Sequence, residues 1–217
     1  MTILSAPRAG GRLLAVGDIH GCRQPLRDLL ARVAPTAADQ LVFLGDYVDR
    51  GPDSAGVIDD LLALRARLPE TVFLRGNHDQ MLLDVLAGGD PSLFLFNGGG
   101  QTIASYRARS GWPPPREHLD FLAGLPFSHE TDRFIFVHAG LRPGLPLACQ
   151  DPADLMWIRR EFLDSPADWG KTVVHGHTPT ETVRFGAQRV ALDTGCVYGG
   201  RLSCCDLLSG TCWQAAC

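Results

Sequence analysis

The chain has 217 residues, 45% apolar and 20% charged, with 20 basic against 24 acidic side chains and a net charge of −4. That length suits a single domain over 1–217 with a substantial core, and the acidic balance argues against nucleic acid or an anionic membrane as the main partner. No run of about 18 apolar residues occurs, and the first residues lack an apolar signal core, so a cytoplasmic protein without a membrane segment is expected.

The seven cysteines (Cys22, Cys149, Cys196, Cys204, Cys205, Cys212 and Cys217) are odd in number and show no zinc-finger spacing. They are expected to be reduced thiols. None has an arginine six positions on, which removes the phosphate loop of a thiol phosphatase.

Residues 1–12 read as a loose lead-in. The apolar run Leu13–Val16 then ends in Gly17-Asp18-Ile19-His20-Gly21. On an extended chain, Asp18 and His20 point the same way and can reach one ion together. Leu26, Leu29, Leu30 and Val33 are at helical spacing, which predicts a helix over 25–33. The next run, Leu41–Leu44, ends in Gly45-Asp46-Tyr47-Val48-Asp49-Arg50-Gly51. Two carboxylates so close are costly to bury unless a multivalent cation compensates them. Arg50 beside them suits a phosphate-like anion. A second helix follows, capped by Asp53 or Ser54 and running to Leu68. Thr71–Leu74 and Arg75-Gly76-Asn77-His78-Asp79 repeat the pattern. If this segment is extended, Asn77 faces an ion while His78 faces a substrate, and a helix follows over 81–86.

Residues 88–132 are less regular, with helical patterns near 101–109 and 116–124 that could wall a pocket. Gly98-Gly99-Gly100 lacks the Lys-Ser/Thr of a nucleotide loop. Phe134–Val137 leads to His138-Ala139-Gly140. A helix is expected over 154–162; read as an ordinary surface helix, it would pack Trp157 in the core. Thr172–Val174 leads into His175-Gly176-His177-Thr178-Pro179, and 189–195 and 202–208 read as closing strands.

A lone histidine at a strand end is ordinarily structural. Here five apolar runs each end in a polar, metal-competent residue beside glycine. Ligands of open α/β sheets sit at the carboxyl ends of strands, so Asp18, His20, Asp46, Asn77, His138 and His177 should meet on one rim. Imidazole mixed with hard oxygen suits manganese first, with iron or zinc as alternatives, over calcium. Six ligands are too many for one ion that keeps an open position, so two divalent ions sharing Asp46 are expected. Such a pair can activate water as hydroxide for in-line attack and polarise phosphoryl oxygens. His78 is the candidate acid for the leaving group, oriented by Asp49, and Arg50 and Arg75 are candidates for phosphate binding.

Gly-Asp-Ile-His-Gly, Gly-Asp-Tyr-Val-Asp-Arg-Gly, Gly-Asn-His-Asp, His-Ala-Gly and Gly-His-Thr, in this order, resemble the PPP-type metallophosphoesterases. The compact bacterial and phage group is the most similar, and the likeness runs from about residue 13 to 205. It implies a calcineurin-like α/β fold, a β-sandwich flanked by helices with a dimetal site at strand carboxyl ends. It implies Asp18, His20 and Asp46 on one ion and Asp46, Asn77, His138 and His177 on the other. Asp49 and His78 would form the acid pair. Arg50, Arg75 and Arg159 would contact phosphate, with Arg160 as the rival of Arg159, and Tyr198 would line the site. Asp79 stands where the protein phosphatases of that group usually carry Glu. His175 is assigned a structural role because the family pattern places the ligand after the glycine, at His177.

The expected activity is phosphoester hydrolysis, with a Ser/Thr-phosphorylated protein as first substrate and a dinucleoside polyphosphate such as diadenosine tetraphosphate as alternative. The selecting residues are expected in 88–132 and 141–170. A catalytically dead phosphate-binding module is disfavoured because every expected ligand, acid and arginine is present. A nuclease is disfavoured by the acidic charge.

Overall fold

The computed structural model describes residues 10–217. Most of the lead-in expected over 1–12 lies outside them. The strands are β1 (Leu13–Val16), β2 (Gln40–Phe43), β3 (Val72–Phe73), β4 (Ser128–Glu130), β5 (Phe134–Val137), β6 (Thr172–His175), β7 (Arg184–Phe185), β8 (Arg189–Ala191), β9 (Arg201–Asp206) and β10 (Cys212–Ala216). They form two mixed sheets, ordered β10-β9-β1-β2-β3 and β4-β5-β6-β8-β7. In the first, β1, β2 and β3 run parallel, and β9 adds antiparallel to β1. The helices are α1 (Arg23–Val33), α2 (Ser54–Arg67), α3 (Asn77–Leu86), α4 (Ser92–Phe94), α5 (Gly100–Arg109), α6 (Arg116–Ala123), α7 (Pro152–Trp157) and α8 (Arg160–Leu163), with a π-helical turn at Leu95–Gly99 between α4 and α5.

The apolar runs lack polar alternation because both faces of each sheet are covered. Leu14, Val16, Leu41 and Phe43 pack under α1, α2, α3 and α6. Their neighbours Leu13, Ala15, Val42 and Leu44 point the other way, against Phe134, Phe136, Val174 and Val190 of the second sheet. Ile135, Val137 and Val173 face outward again, onto Leu155, Ile158 and Phe162. The layers are therefore helix, sheet, sheet, helix. No helix of the described residues is long and apolar enough to cross a membrane.

Three local expectations change. First, α3 begins at Asn77 rather than 81, because the Asp79 carboxylate accepts from Gly76 N at 2.9 Å and caps an earlier start. Asn77 and His78 thus sit in a first helical turn, not on an extended segment. Second, the helix over 154–162 is broken at Ile158 and Arg159. Leu155 O accepts from Ala139 N at 2.8 Å, which diverts the carbonyl that a continuous helix would offer Arg159 N. The break buries Ile158 and leaves Trp157 39% exposed, so Trp157 is not the core anchor. Third, Cys196 is bonded to Cys217 and Cys205 to Cys212, so these four are not reduced thiols. The β9–β10 register sets Cys205 directly opposite Cys212. Cys22, Cys149 and Cys204 are free.

One carboxylate ties the edges of this architecture together. Asp39 accepts from Arg12 N, Nε and Nη2 and from Thr36 N, while Arg12 Nη1 reaches Val33 O at the end of α1. Its side chain is 4% exposed. Burial alone would raise its pKa, but the Arg12 guanidinium and the backbone N–H donors hold it well below the usual carboxylate range. Asp39→Asn is expected to lose about 2–3 kcal/mol of stability at pH 7. A depressed folded pKa gives stability that is present above the unfolded value of about 4 and is lost as pH falls through the folded one. The gap between the urea midpoints of wild type and variant should therefore hold from pH 7 to about 5 and narrow as pH falls from about 4 toward 2, and a gap that does not narrow sinks this account.

Candidate active site

The loops after the strands turn left-handed at functional residues: φ is 47° at His20, 55° at Asp46, 70° at Asp49, 68° at Arg50 and 63° at His177. That conformation costs a non-glycine residue roughly 1 kcal/mol or more, so it persists only where the surroundings enforce it. Ile19 N and His20 N donate to Asp46 O at 3.1 and 2.8 Å, and Gly21 N donates to Tyr47 O at 2.9 Å. Asp79 accepts from Asp46 N, Tyr47 N and Gly76 N at 2.9–3.0 Å, binding the loop after β2 to the start of α3. Gly45, at φ 106°, permits a close approach. A Cβ there would lie 2.6 Å from Gly76 N and 3.0 Å from His138 Nδ1. Tight turns, not strand alternation, bring Asp18 and His20 to the rim.

The acceptor atoms then converge. His20 Nδ1 donates to Val48 O at 2.9 Å, which leaves Nε2 with its lone pair, 3.4 Å from Asp46 Oδ2. His138 Nδ1 donates to Leu44 O at 2.8 Å, and its Nε2 lies 3.0 Å from Asn77 Oδ1 and 3.3 Å from Asp46 Oδ2. His177 Nε2 is buried with no hydrogen-bond partner. Two groups of ligand atoms each lie within 4.8 Å of one another: His20, Asp46 and His78, and Asp46, His138 and His177. Asp46 is common to both. Asp18 accepts from His177 N through both carboxylate oxygens, at 3.1 and 3.3 Å. Carbonyls that fix the imidazole tautomer behind the ligating nitrogen are the usual outer support of a metal site.

Electrostatics point the same way. Burial pushes His20 down to about 3 and His177 to about 2, leaving neutral imidazoles. Burial also raises Asp18, reinforced by the charges of Asp193 and Asp46. Burial alone would raise Asp46 as well, but His138, His78 and His20 outweigh it and hold Asp46 well below the usual range. Burial would lower His138, yet the Asp46 and Asp18 carboxylates lift it to about 10. Three buried carboxylates crowd one cavity that demands positive charge. The donor set, its tautomers and the orphaned His177 nitrogen all fit a centre of two divalent cations sharing Asp46.

Beside it lies a second unit. His78 Nδ1 is 2.8 Å from Asp49 Oδ2. Asp49 Oδ1 accepts from Thr102 Oγ1 at 2.7 Å, while Asp49 N donates to Thr102 Oγ1 at 2.8 Å. Burial pushes Asp49 up to about 8 and His78 down to about 4, so the pair is held uncharged. Sequence reasoning missed Thr102, which carries no local signal on α5. It also missed Asp193, which repeats the strand-end pattern in Leu192-Asp193-Thr194-Gly195.

The arginines differ in placement. Arg50 Nη1 is 2.7 Å from His20 Nε2, and its guanidinium lies over the Tyr198 ring at 5.4 Å. Arg75 gives its terminal nitrogens to Gln80 Oε1 and Ala123 O, at 2.8 and 2.6 Å, and stacks on Phe127. It braces α3 against the end of α6. Arg159 Nη1 reaches Thr178 Oγ1, next to His177, at 3.5 Å, whereas Arg160 opens α8 on the exposed surface. His175 packs edge-on against Phe162 at 5.1 Å and belongs to neither ligand group.

A two-sheet sandwich with helices outside and a buried His/Asp centre where strand ends meet defines a metal-dependent phosphoesterase. The sequence model of the calcineurin-like phosphoesterase family matches residues 11–208, and the chain belongs to that family. It is 30% identical over 217 residues, 87% of each chain, to the asymmetrical bis(5'-nucleosyl)-tetraphosphatase PrpE of Bacillus thuringiensis. The PrpE of Geobacillus thermodenitrificans is likewise 30% identical over 226 residues, again 87% of each. A crystal structure described as a candidate diadenosine tetraphosphatase superposes with a TM-score of 0.73 at 29% identity, covering 98% of this chain and 96% of that one. A serine/threonine phosphatase from Saccharomyces cerevisiae, at 16% identity and TM-score 0.68 over 95% and 80%, shares the fold.

Proposed function

We propose that this phosphoesterase hydrolyses dinucleoside polyphosphates of the diadenosine tetraphosphate type, ahead of the phosphorylated proteins that the motifs alone rank first. The observation that carries this is the 30% identity with asymmetrical tetraphosphatases over 87% of both chains. The protein phosphatase neighbour supports the fold alone.

In this reading Asp18, His20, Asp46, Asn77, His138 and His177 hold two divalent cations, manganese first. When bound, these would lower the pKa of water and polarise phosphoryl oxygens. Arg50, beside His20, binds non-bridging phosphate oxygens, and Arg159 does so from beside Thr178. With Asp49 kept protonated by burial, its carboxyl donates to His78 Nδ1. That leaves His78 Nε2 as an N–H donor for the departing oxygen; as this proton leaves, Nδ1 takes the Asp49 proton, so His78 stays neutral and Asp49 ends as the carboxylate. Arg75 acts indirectly, by holding α3 and therefore His78 in place.

The test is a manganese-supplemented assay of diadenosine tetraphosphate against a phosphoserine peptide. Diadenosine tetraphosphate should win by at least about 10² in kcat/KM, the scale set when a site's polar groups match one substrate and not another. Adenosine triphosphate plus adenosine monophosphate is the expected product pair. Faster turnover of the peptide overturns the assignment.

A further inference from the structure

We infer that Phe96 and Tyr198 form a stacking platform for one nucleobase of the substrate, an inference that rests on the dinucleotide reading above. A cleft of about 420 Å³ is lined by Arg50, Phe96, Asn97, Gln101 and Tyr198 among others. Its aromatic walls are open to solvent: Phe96 is 88% exposed and Tyr198 63%. The Phe96 ring, almost wholly in water, contributes little to folding, so core packing does not explain its place.

The cleft is tied to the centre through one residue. Arg50 places Nη1 2.7 Å from His20 Nε2 and its guanidinium 5.4 Å from the Tyr198 ring centroid. A phosphate held by Arg50 therefore has its ester arm at the mouth of the cleft. The aromatic segment is also keyed to Arg50. Arg50 N donates to Gly98 O at 3.1 Å. Gly98 has φ 98°, and a Cβ there would come within 2.9 Å of Arg50 Cγ. The kinked segment Leu95–Gly99, bent at Gly98, thus rests directly on the phosphate arginine and carries Phe96 outward.

The lining chemistry selects the ligand. Flat aromatic faces and a guanidinium favour a π-system. Asn97 Nδ2 is committed to Leu93 O at 2.8 Å, which holds the amide in place and leaves Oδ1 as an acceptor. Gln101 adds a second amide on the same side. A planar group with hydrogen-bonding edges, joined to a polyphosphate, is a nucleobase. A phosphoserine segment needs neither the ring nor the amides.

The test compares KM for diadenosine tetraphosphate with KM for inorganic tripolyphosphate, which has no base, in manganese-loaded wild type, Phe96→Ala, Phe96→Trp and Tyr198→Ala. Loss of one stacked ring should raise the ratio of the two KM values about 10-fold in Phe96→Ala, with a smaller change in kcat, and Phe96→Trp should restore it. Tyr198→Ala should raise the ratio similarly. If wild type cleaves diadenosine tetraphosphate and the ratio is unmoved in Phe96→Ala, the platform is overturned while the substrate stands. If wild type leaves diadenosine tetraphosphate intact, the substrate reading falls and the platform with it.

Discussion

Asp46→Asn is expected to cut turnover by at least about 10³-fold and to strip the purified protein of most of its bound divalent metal. Asp46 is the one side chain common to both buried ligand groups, so its charge serves two ions at once. Removing several kcal/mol of charge stabilisation from the reacting phosphoryl group corresponds to that rate loss. The fold should survive. Asn keeps the oxygen that accepts from His78 N at 3.0 Å, and the backbone N–H of residue 46 still donates to Asp79. Elemental analysis and thermal melting with and without manganese provide the check. Wild type should melt higher when manganese is added, and the variant should not respond. A variant with full metal content and a rate within about 10-fold of wild type would remove Asp46 from the bridging position.

His78→Asn should behave differently. We expect metal content close to wild type and a rate lower by roughly 10²–10⁴, the range for loss of a positioned acid. His78 also stands within ligand distance of His20 and Asp46, so the metal measurement separates an acid from a ligand. The leaving group gives a second readout. Phenyl phosphate should suffer more than p-nitrophenyl phosphate, whose phenol departs readily without a proton. An equal loss on both esters, or loss of metal, would show that His78 is not the acid. Asp49 should matter through His78, because its other oxygen is already committed to Thr102 at 2.7 Å.

The rim was legible because the chemistry repeats. Asp18, Asp46, His138 and His177 each follow an apolar run next to glycine, and those runs are buried strands or their direct extensions. What the linear pattern hid was how the chain reaches the rim. Left-handed turns at His20, Asp46 and His177 depend on distant partners: the Asp46 carbonyl, the Asp79 carboxylate and the Asp18 carboxylate. Asp79 looks in sequence like a neutral exchange for glutamate, yet three backbone N–H groups converge on it. Thr102 was invisible because its value lies only in proximity to Asp49, 53 positions away. The helix expected over 154–162 failed for a similar reason. Periodicity sees Leu155 and Phe162 on one face but not the Ala139 N–H that takes the Leu155 carbonyl. The Cys205–Cys212 pair was missed because it follows the β9–β10 register, which spacing alone does not set, and Cys196–Cys217 because both residues lie outside those strands and meet only in the fold.

The two sheets contribute to the centre from opposite sides. His20, Asp46 and Asn77 extend from the first, and His138 and His177 from the second. Between them the core is mostly apolar packing, which has no preferred direction, and a buried polar contact, Gln40 to His129 at 3.0 Å, crosses it from β2 to β4. Cations gripped by residues of both layers would act as a rivet through the sandwich. Loading the enzyme and locking its halves in register would then be a single equilibrium, so scarcity of the ion would loosen the architecture as well as silence the chemistry.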